Sequence, residues 1–172
     1  MASQQYRVLI AVDGSVNSEF AVLWYLRHIH APGYEVVLGH VGEQQVNPSF
    51  AFRAGIAIPK EEWQAMLKEA EDQVKAILKK HRDTLHSAGV ETVKCASEAG
   101  NPGPHLVDIA NKTKCQLIVI GTRGLSTMAR TFLGSVSDYV LHHSQVPVCI
   151  CPVPEEHNKK YQDPQGKDST KF

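Results

Sequence analysis

The sequence predicts a parallel α/β sheet with helices on both faces. Short runs rich in β-branched residues alternate along the chain with longer segments whose apolar residues recur at helical spacing. Each crossover must be right-handed, which places the helices over both sheet faces. The run Leu117-Ile118-Val119-Ile120 has no polar side, as expected of a strand buried on both faces. The chain has 172 residues, enough for one domain of about 150 residues around a sizeable core.

Tyr6 to Val12 (YRVLIAV) is the first strand and ends in Asp13-Gly14-Ser15, a turn and helix-cap signal. The helix that follows, about Asn17 to His30, carries Phe20, Leu23, Trp24, Leu26 and Ile29 mainly on one side and stops at Pro32-Gly33. Tyr34 to Val41 is the second strand. Gly42 to Ile58 has no clear periodicity, and a loop of that length in a compact domain is usually functional or mobile. Pro59 suits the first position of a long helix. Trp63, Met66, Leu67, Ala70, Val74, Ile77, Leu78, His81 and Leu85 recur along it until Gly89. His81 is expected to be a half-buried face residue. Val90 to Ala96 is the third strand, and Gly100-Asn101-Pro102 caps a short helix from Pro104 to about Lys112. The fourth strand is Gln116 to Ile120. A glycine-rich stretch then leads into a helix ending near His143, and Pro147 to Cys151 is the fifth strand. Composition changes from Pro152, so the domain is read as residues 1–153 and residues 154–172 as a polar, disordered tail.

Lys+Arg and Asp+Glu balance at 18 each, which gives no basic excess to favour nucleic acid or an anionic membrane. No apolar run is long enough to span a bilayer, and none reads as a secretory signal. A cytoplasmic location is therefore expected, with Cys95, Cys115, Cys149 and Cys151 reduced and mostly serving as small apolar fillers. Cys149 and Cys151 share a strand face, but no second Cys or His pair stands at zinc-site spacing. No metal ligand is assigned.

The chemistry concentrates in Gly121 to Ser137, GTRGLSTMARTFLGSVS. A strand emptying into glycines just before a helix N-terminus exposes unpaired backbone N–H groups with the positive end of a helix dipole behind them, a site for phosphate. Glycine lets the backbone approach the anion, and the Ser135 and Ser137 hydroxyls add donors. In a sheet of this kind a ligand sits outside the strand C-termini at the point where strand order reverses, which would set the Asp13 turn facing the Gly121 loop.

Together these residues resemble the universal stress protein family. Gly121, Gly124, nine intervening residues and Gly134-Ser135 match the Gly-x2-Gly-x9-Gly-Ser/Thr pattern of its nucleotide-binding branch without a gap. AVDGS, with Asp13, matches the aspartate closing its first strand, and His40-Val41 matches the end of its second. The resemblance covers about residues 5 to 153. It implies a single-domain, Rossmann-like, open five-stranded parallel sheet in the order 3-2-1-4-5, which often dimerises through the last strand, here residues 147–151. It further implies that Asp13 binds ribose and that the chain at Val12 and Val41 holds adenine. Gly121, Arg123, Gly124, Gly134, Ser135, Val136 and Ser137 would take the phosphates of ATP, ADP or AMP, with Mg2+ screening their charge. The segment Gly42–Ile58 varies among relatives and leaves the lid over adenine undefined.

Three functions use such a site: a dimeric ATP-binding regulatory or stress-response module, a slow ATPase or nucleotidyl-transferring enzyme, and a scaffold whose site is vestigial. The chain lacks Gly-x4-Gly-Lys-Ser/Thr, and Asp138 is the one carboxylate adjoining the glycine stretch, which weighs against catalysis. Intact glycines and serines weigh against the vestigial site.

Overall fold

The computed structural model describes residues 5–42, 59–122 and 133–154. They form β1 (Arg7–Ala11), α1 (Val16–His28), β2 (Glu35–Gly42), α2 (Lys60–Ser87), β3 (Thr92–Ala99), α3 (Pro102–Thr113), β4 (Leu117–Thr122), α4 (Ser135–His143) and β5 (Val148–Pro152). The five strands pair in the order β3-β2-β1-β4-β5, all parallel. The expected sheet and strand order are both observed.

Two apolar layers sandwich the sheet. On one face Ala21, Val22 and Tyr25 of α1 and Leu85 of α2 pack on Val8, Ile10, Val36 and Leu38. On the other, Leu106 and Ile109 of α3 and Val140 of α4 pack on Leu9, Val37 and Ile118. Successive strand residues supply opposite layers, which is why β1, β2 and β4 read as continuous apolar runs. An ion-pair cluster closes the sheet at its strand N-termini. Glu35, 2% exposed, accepts from Arg7 Nε at 2.5 Å and pairs with Lys94 Nζ at 2.9 Å. Burial pushes the Glu35 carboxyl up, but the bonds from Arg7 and Lys94 outweigh it and hold the group below its ordinary value.

Several local expectations change. The third strand begins at Thr92 because the Val90 N–H is spent on the Leu85 carbonyl, closing the end of α2. The short helix starts at Pro102, and α1 ends two residues early, at His28. Leu23 lies on the wet side of α1, 54% exposed, and Cys95 is exposed on the edge strand β3. His81 is not half-buried: it is 2% exposed, and its Nε2 has no hydrogen-bond partner among the described residues. Helical spacing gave its face correctly, but α1 and the sheet close over it more fully than periodicity can tell.

Candidate nucleotide site

Register aligns the candidate residues at one end of the sheet. Ala11 is level with Gly39 of β2 and Ile120 of β4, and the Val12 N–H still donates to the Gly39 carbonyl, so Val12 and Asp13 leave β1 at the same end of the sheet as Val41 and Gly121. Helix α4 follows β4 and returns to the parallel strand β5, which sets its N-terminus at this same C-terminal end of the sheet.

Asp13 opens the turn into α1. The Ser15 N–H donates to its Oδ1 at 2.9 Å, and its own N–H donates to Ser18 Oγ at 3.4 Å. Ser15 in turn caps α1, accepting from the Ser18 N–H at 3.3 Å. Partial burial pushes the Asp13 carboxyl up, but the hydrogen bonds from Ser15 and Ser18 outweigh it and hold the group below its ordinary value. It is thus an ionised, exposed acceptor. Such a group suits a diol.

The glycines divide by role. A Cβ on Gly121 would lie 2.1 Å from the Asn17 carbonyl oxygen, so this glycine lets the first turn of α1 rest directly on β4. The sequence assigned its openness to an anion, whereas in the structure its neighbour is α1 backbone. Gly134, the N-cap of α4, has ordinary φ −54° and ψ 150°. A Cβ there would meet nothing among the described residues closer than Ser137 Oγ, at 3.7 Å. Neither backbone conformation nor packing among the described residues demands glycine at this position.

Among the described residues no side chain caps α4. The N–H groups of Ser135, Val136 and Ser137 have no backbone acceptor among the described residues, and the first closed bond runs from the Asp138 N–H to the Gly134 carbonyl at 2.9 Å. Ser135 is exposed. Ser137 departs from the expected role: it is 3% exposed and its hydroxyl donates to the Gly134 carbonyl at 2.9 Å. Its proton therefore serves the helix start, and its offer to an anion is the backbone N–H. Arg123 and Gly124, both assigned to phosphate from the sequence, lie outside the described residues, as do residues 43–58 of the expected lid.

Val12 and Val41, assigned to the base from the resemblance, lie at the C-terminal ends of β1 and β2. The Val12 N–H donates to the Gly39 carbonyl at 2.9 Å, and the Val12 carbonyl accepts from His40 Nδ1 at 2.8 Å. Both polar groups of Val12 are thus engaged, leaving it an apolar contact. Sequence reasoning named His40 but gave it no role; the signal was a polar side chain within the otherwise apolar run Val36–Val41. His142 and His143 occupy the last turn of α4, where their Nδ1 atoms bond the Asp138 and Tyr139 carbonyls at 2.9 and 2.8 Å. They stand away from the anion-facing end. Among the described residues no group of three or more His, Cys, Asp or Glu is placed to hold a metal ion, and no helix is long and apolar enough to cross a membrane.

The sequence profile described as Universal stress protein family matches residues 6–152. The chain belongs to the universal stress protein family. Among similar family proteins, Universal stress protein Sll1388 of Synechocystis is 34% identical over 110 residues, covering 61% of this chain and 67% of that one. A universal stress protein of Mycolicibacterium smegmatis is 27% identical across 87% of this chain, which spans about half (49%) of that protein's length. Among solved structures, an Arabidopsis thaliana universal stress protein family protein with AMP bound superimposes with a TM-score of 0.65 at 19% identity, covering 88% of this chain and 94% of that one. A universal stress protein in complex with cAMP gives 0.58 at 24% identity, covering 84% and 95%. At these identities the structural likeness speaks for the fold.

Proposed function

We propose that this universal stress protein binds an adenine nucleotide at the C-terminal end of its sheet and acts as a binding module in regulation or stress response rather than as an efficient catalyst. The observation that carries the reading is that Asp13, Val41 and Gly121 end or follow the adjacent strands β1, β2 and β4 at the end of the sheet where α4 begins, a helix with no side-chain cap among the described residues. Asp13 would accept from the ribose hydroxyls, Val12 and Val41 would contact the base, and the amides of Ser135, Val136 and Ser137 would face phosphate. Gly121 would keep the α1 turn in place beside them, and Arg123 and Gly124 complete the proposed phosphate loop. Magnesium would screen the polyphosphate of ATP. The relatives solved with AMP and cAMP support the ligand class.

Mass spectrometry of nucleotide released by denaturing the purified protein tests the reading, together with calorimetry against ATP, ADP and AMP with and without magnesium. Adenine nucleotide in the released fraction, or saturable heat, is expected. No heat and no thermal shift at millimolar concentrations would reject it. Phosphate release faster than about one turnover per second, the range of ordinary enzymes, would reject the non-catalytic part.

We also propose a homodimer through residues 147–151. Strand β5 is an edge of the sheet, and an apolar edge invites pairing with its own copy. Light scattering at micromolar concentration should give a dimer mass, and a clean monomer would reject it. The domain is proposed to end near residue 153 and the chain beyond it to be a separate polar tail.

A further inference from the structure

Helix α2 meets the Asp13 turn through one stripe of side chains. Ile77, His81 and Leu85 stand four apart on its core-facing side. Ile77 lies against the turn: a Cβ added to Gly14 would come 3.1 Å from its Cγ1 and Cδ1. Close by, Lys80 Nζ donates to Glu19 Oε1 and ties α2 to the first turn of α1. His81 is buried beside these two ties, and its Nε2 has no hydrogen-bond partner among the described residues.

A neutral imidazole is tolerated in that setting, whereas an unpaired imidazolium is costly. Glu19 on α1 and Asp13 in the turn favour its charge, and Lys80 on its own helix opposes it. Tyr25 of α1 is engaged with His30 Nδ1 at 2.9 Å. His40 of β2 shares the sheet face of Leu38, and its Nδ1 is held on the Val12 carbonyl. Cys95 of β3 is level with Leu38, and partial burial holds its thiol above its ordinary value, hence uncharged. Both carboxylates are already engaged, Glu19 with Lys80 and Asp13 with the Ser15 N–H at 2.9 Å. An imidazolium that draws Glu19 away breaks the tie between α2 and α1. One that draws Asp13 takes the carboxylate away from ribose. One that reaches neither must be hydrated, and water entering between α1 and α2 lifts Ile77 off Gly14. Each outcome weakens the same turn.

We propose that His81 is a positioning residue for the Asp13 turn, and that nucleotide binds while its imidazole is neutral and is released when the imidazole takes up a proton. This rests on the nucleotide-binding reading above and adds a regulation to it: acidification empties the site. His81 acts through the packing of α2 on the turn and touches no ligand itself. A merely structural histidine would change stability with pH and leave the affinity of the folded protein alone.

The test is calorimetry of adenosine from about pH 7.5 to about pH 5, a span that brackets the ordinary imidazole value, with circular dichroism as the fold control at each pH. Adenosine carries no phosphate, so its own charge does not change across that span. The parent chain should lose affinity by about fivefold or more between the two ends, the lower range of a coupling between sites. His81→Leu and His81→Gln have no imidazole to protonate, and the ratio of their affinities at the two ends should stay near one. Either variant suffices if the other fails to fold. Binding and protonation are reciprocal, so saturating adenosine should move the midpoint of the His81 titration, read from its imidazole proton NMR signal, to lower pH. A midpoint that does not move overturns the proposal. So does a pH dependence that survives in a folded variant, which would assign it to another group such as His40. A parent that binds adenosine equally at both ends, or binds ATP and not adenosine, also overturns it and leaves the nucleotide reading standing. A parent that binds neither adenosine nor ATP sinks both.

Discussion

Gly121→Ala and Gly134→Ala should separate the glycine that the fold needs from the glycine that the ligand needs. At position 121 an added Cβ would lie 2.1 Å from the Asn17 carbonyl oxygen, 2.5 Å from its carbon and 3.1 Å from the Ser18 nitrogen. A carbon–oxygen contact relaxes only at about 3.3 Å, so the first turn of α1 must retreat by roughly 1 Å. Overpacking typically costs about 1–3 kcal/mol. All three obstructing atoms are backbone and cannot swing aside, which puts Gly121→Ala near the upper end, about 3 kcal/mol. For a domain of this size that corresponds to a fall in Tm of about 6–12 °C. At position 134 the nearest described atom is 3.7 Å away and φ is −54°, so alanine costs under about 1 kcal/mol, the loss from a poorer N-cap. It nevertheless puts a methyl group where phosphate would approach, and ATP affinity should fall roughly tenfold, equivalent to about 1.4 kcal/mol. Urea denaturation and ATP calorimetry on both variants give the comparison. A Gly121→Ala protein within about 0.5 kcal/mol of the parent, the range of an ordinary surface substitution, would refute the packing argument. A Gly134→Ala protein with unchanged ATP affinity would refute the ligand argument.

Further outcomes follow from the same geometry. Asp13→Ala removes an ionised acceptor and should weaken ATP, ADP and AMP alike, by about tenfold to a hundredfold; an effect that varied with phosphate number would show that Asp13 does not serve the ribose. Arg7→Ala leaves the buried Glu35 with Lys94 as its ion-pair partner and should destabilise the fold by about 3 kcal/mol in urea. Acid should cost stability in two stages. Burial, with Lys80 adding to it and the Glu19 and Asp13 charges opposing, lowers the His81 imidazole from its ordinary 6.5. The unfolded chain therefore takes up a proton there first, and stability falls as pH drops below about 6.5. Glu35 is also held below its ordinary 4.5, so its contribution is complete above that value and is lost as pH falls through the lower folded value. His81→Leu should flatten the upper stage of a urea-versus-pH series and leave the lower one; an upper stage that persists would mean another group causes it.

Much of the fold was legible because its core strands are apolar on both sides and its helices are punctuated by Pro32-Gly33 and Gly89 at their ends and by Gly100-Asn101-Pro102 at a start. Asp13 and the Gly134-Ser135 helix start were legible for a similar reason, since caps and turns are local chemistry. What stayed hidden depends on contacts across the sheet. The close approach of the Asn17 backbone to Gly121 is one such contact, and it gives that glycine a packing reason the sequence did not show. Ser137 reads as a phosphate donor until its hydroxyl is found on Gly134. His40 acts on a residue 28 positions away in the chain, and no local pattern announces such a bond. The burial of His81 and the exposure of Leu23 depend on how far neighbouring elements close over one helix face, which spacing alone does not give.

Helix α2 is one element by its hydrogen bonds and two by its energetics. Its 28 residues extend about 42 Å at 1.5 Å per residue, longer than the eight-residue strand β2 beside it, at about 26 Å. From Ile77 to Leu85 it is bolted to the sheet. From Lys60 to Gln73 every residue is exposed except the half-buried Trp63, and Met66 and Leu67, at 44% and 49% exposure, gain little from the core. The Lys75–Glu71 and Lys75–Asp72 contacts, at 3.5 and 3.6 Å, lie in water and are worth about 0.3–0.5 kcal/mol each. A free-standing segment of about 14 residues is marginal as a helix. The amides of residues 60–73 should therefore exchange with solvent through fraying, orders of magnitude faster than those of residues 77–87, which wait for the whole domain to open. The boundary between the two regimes should fall near Val74, within an unbroken helix.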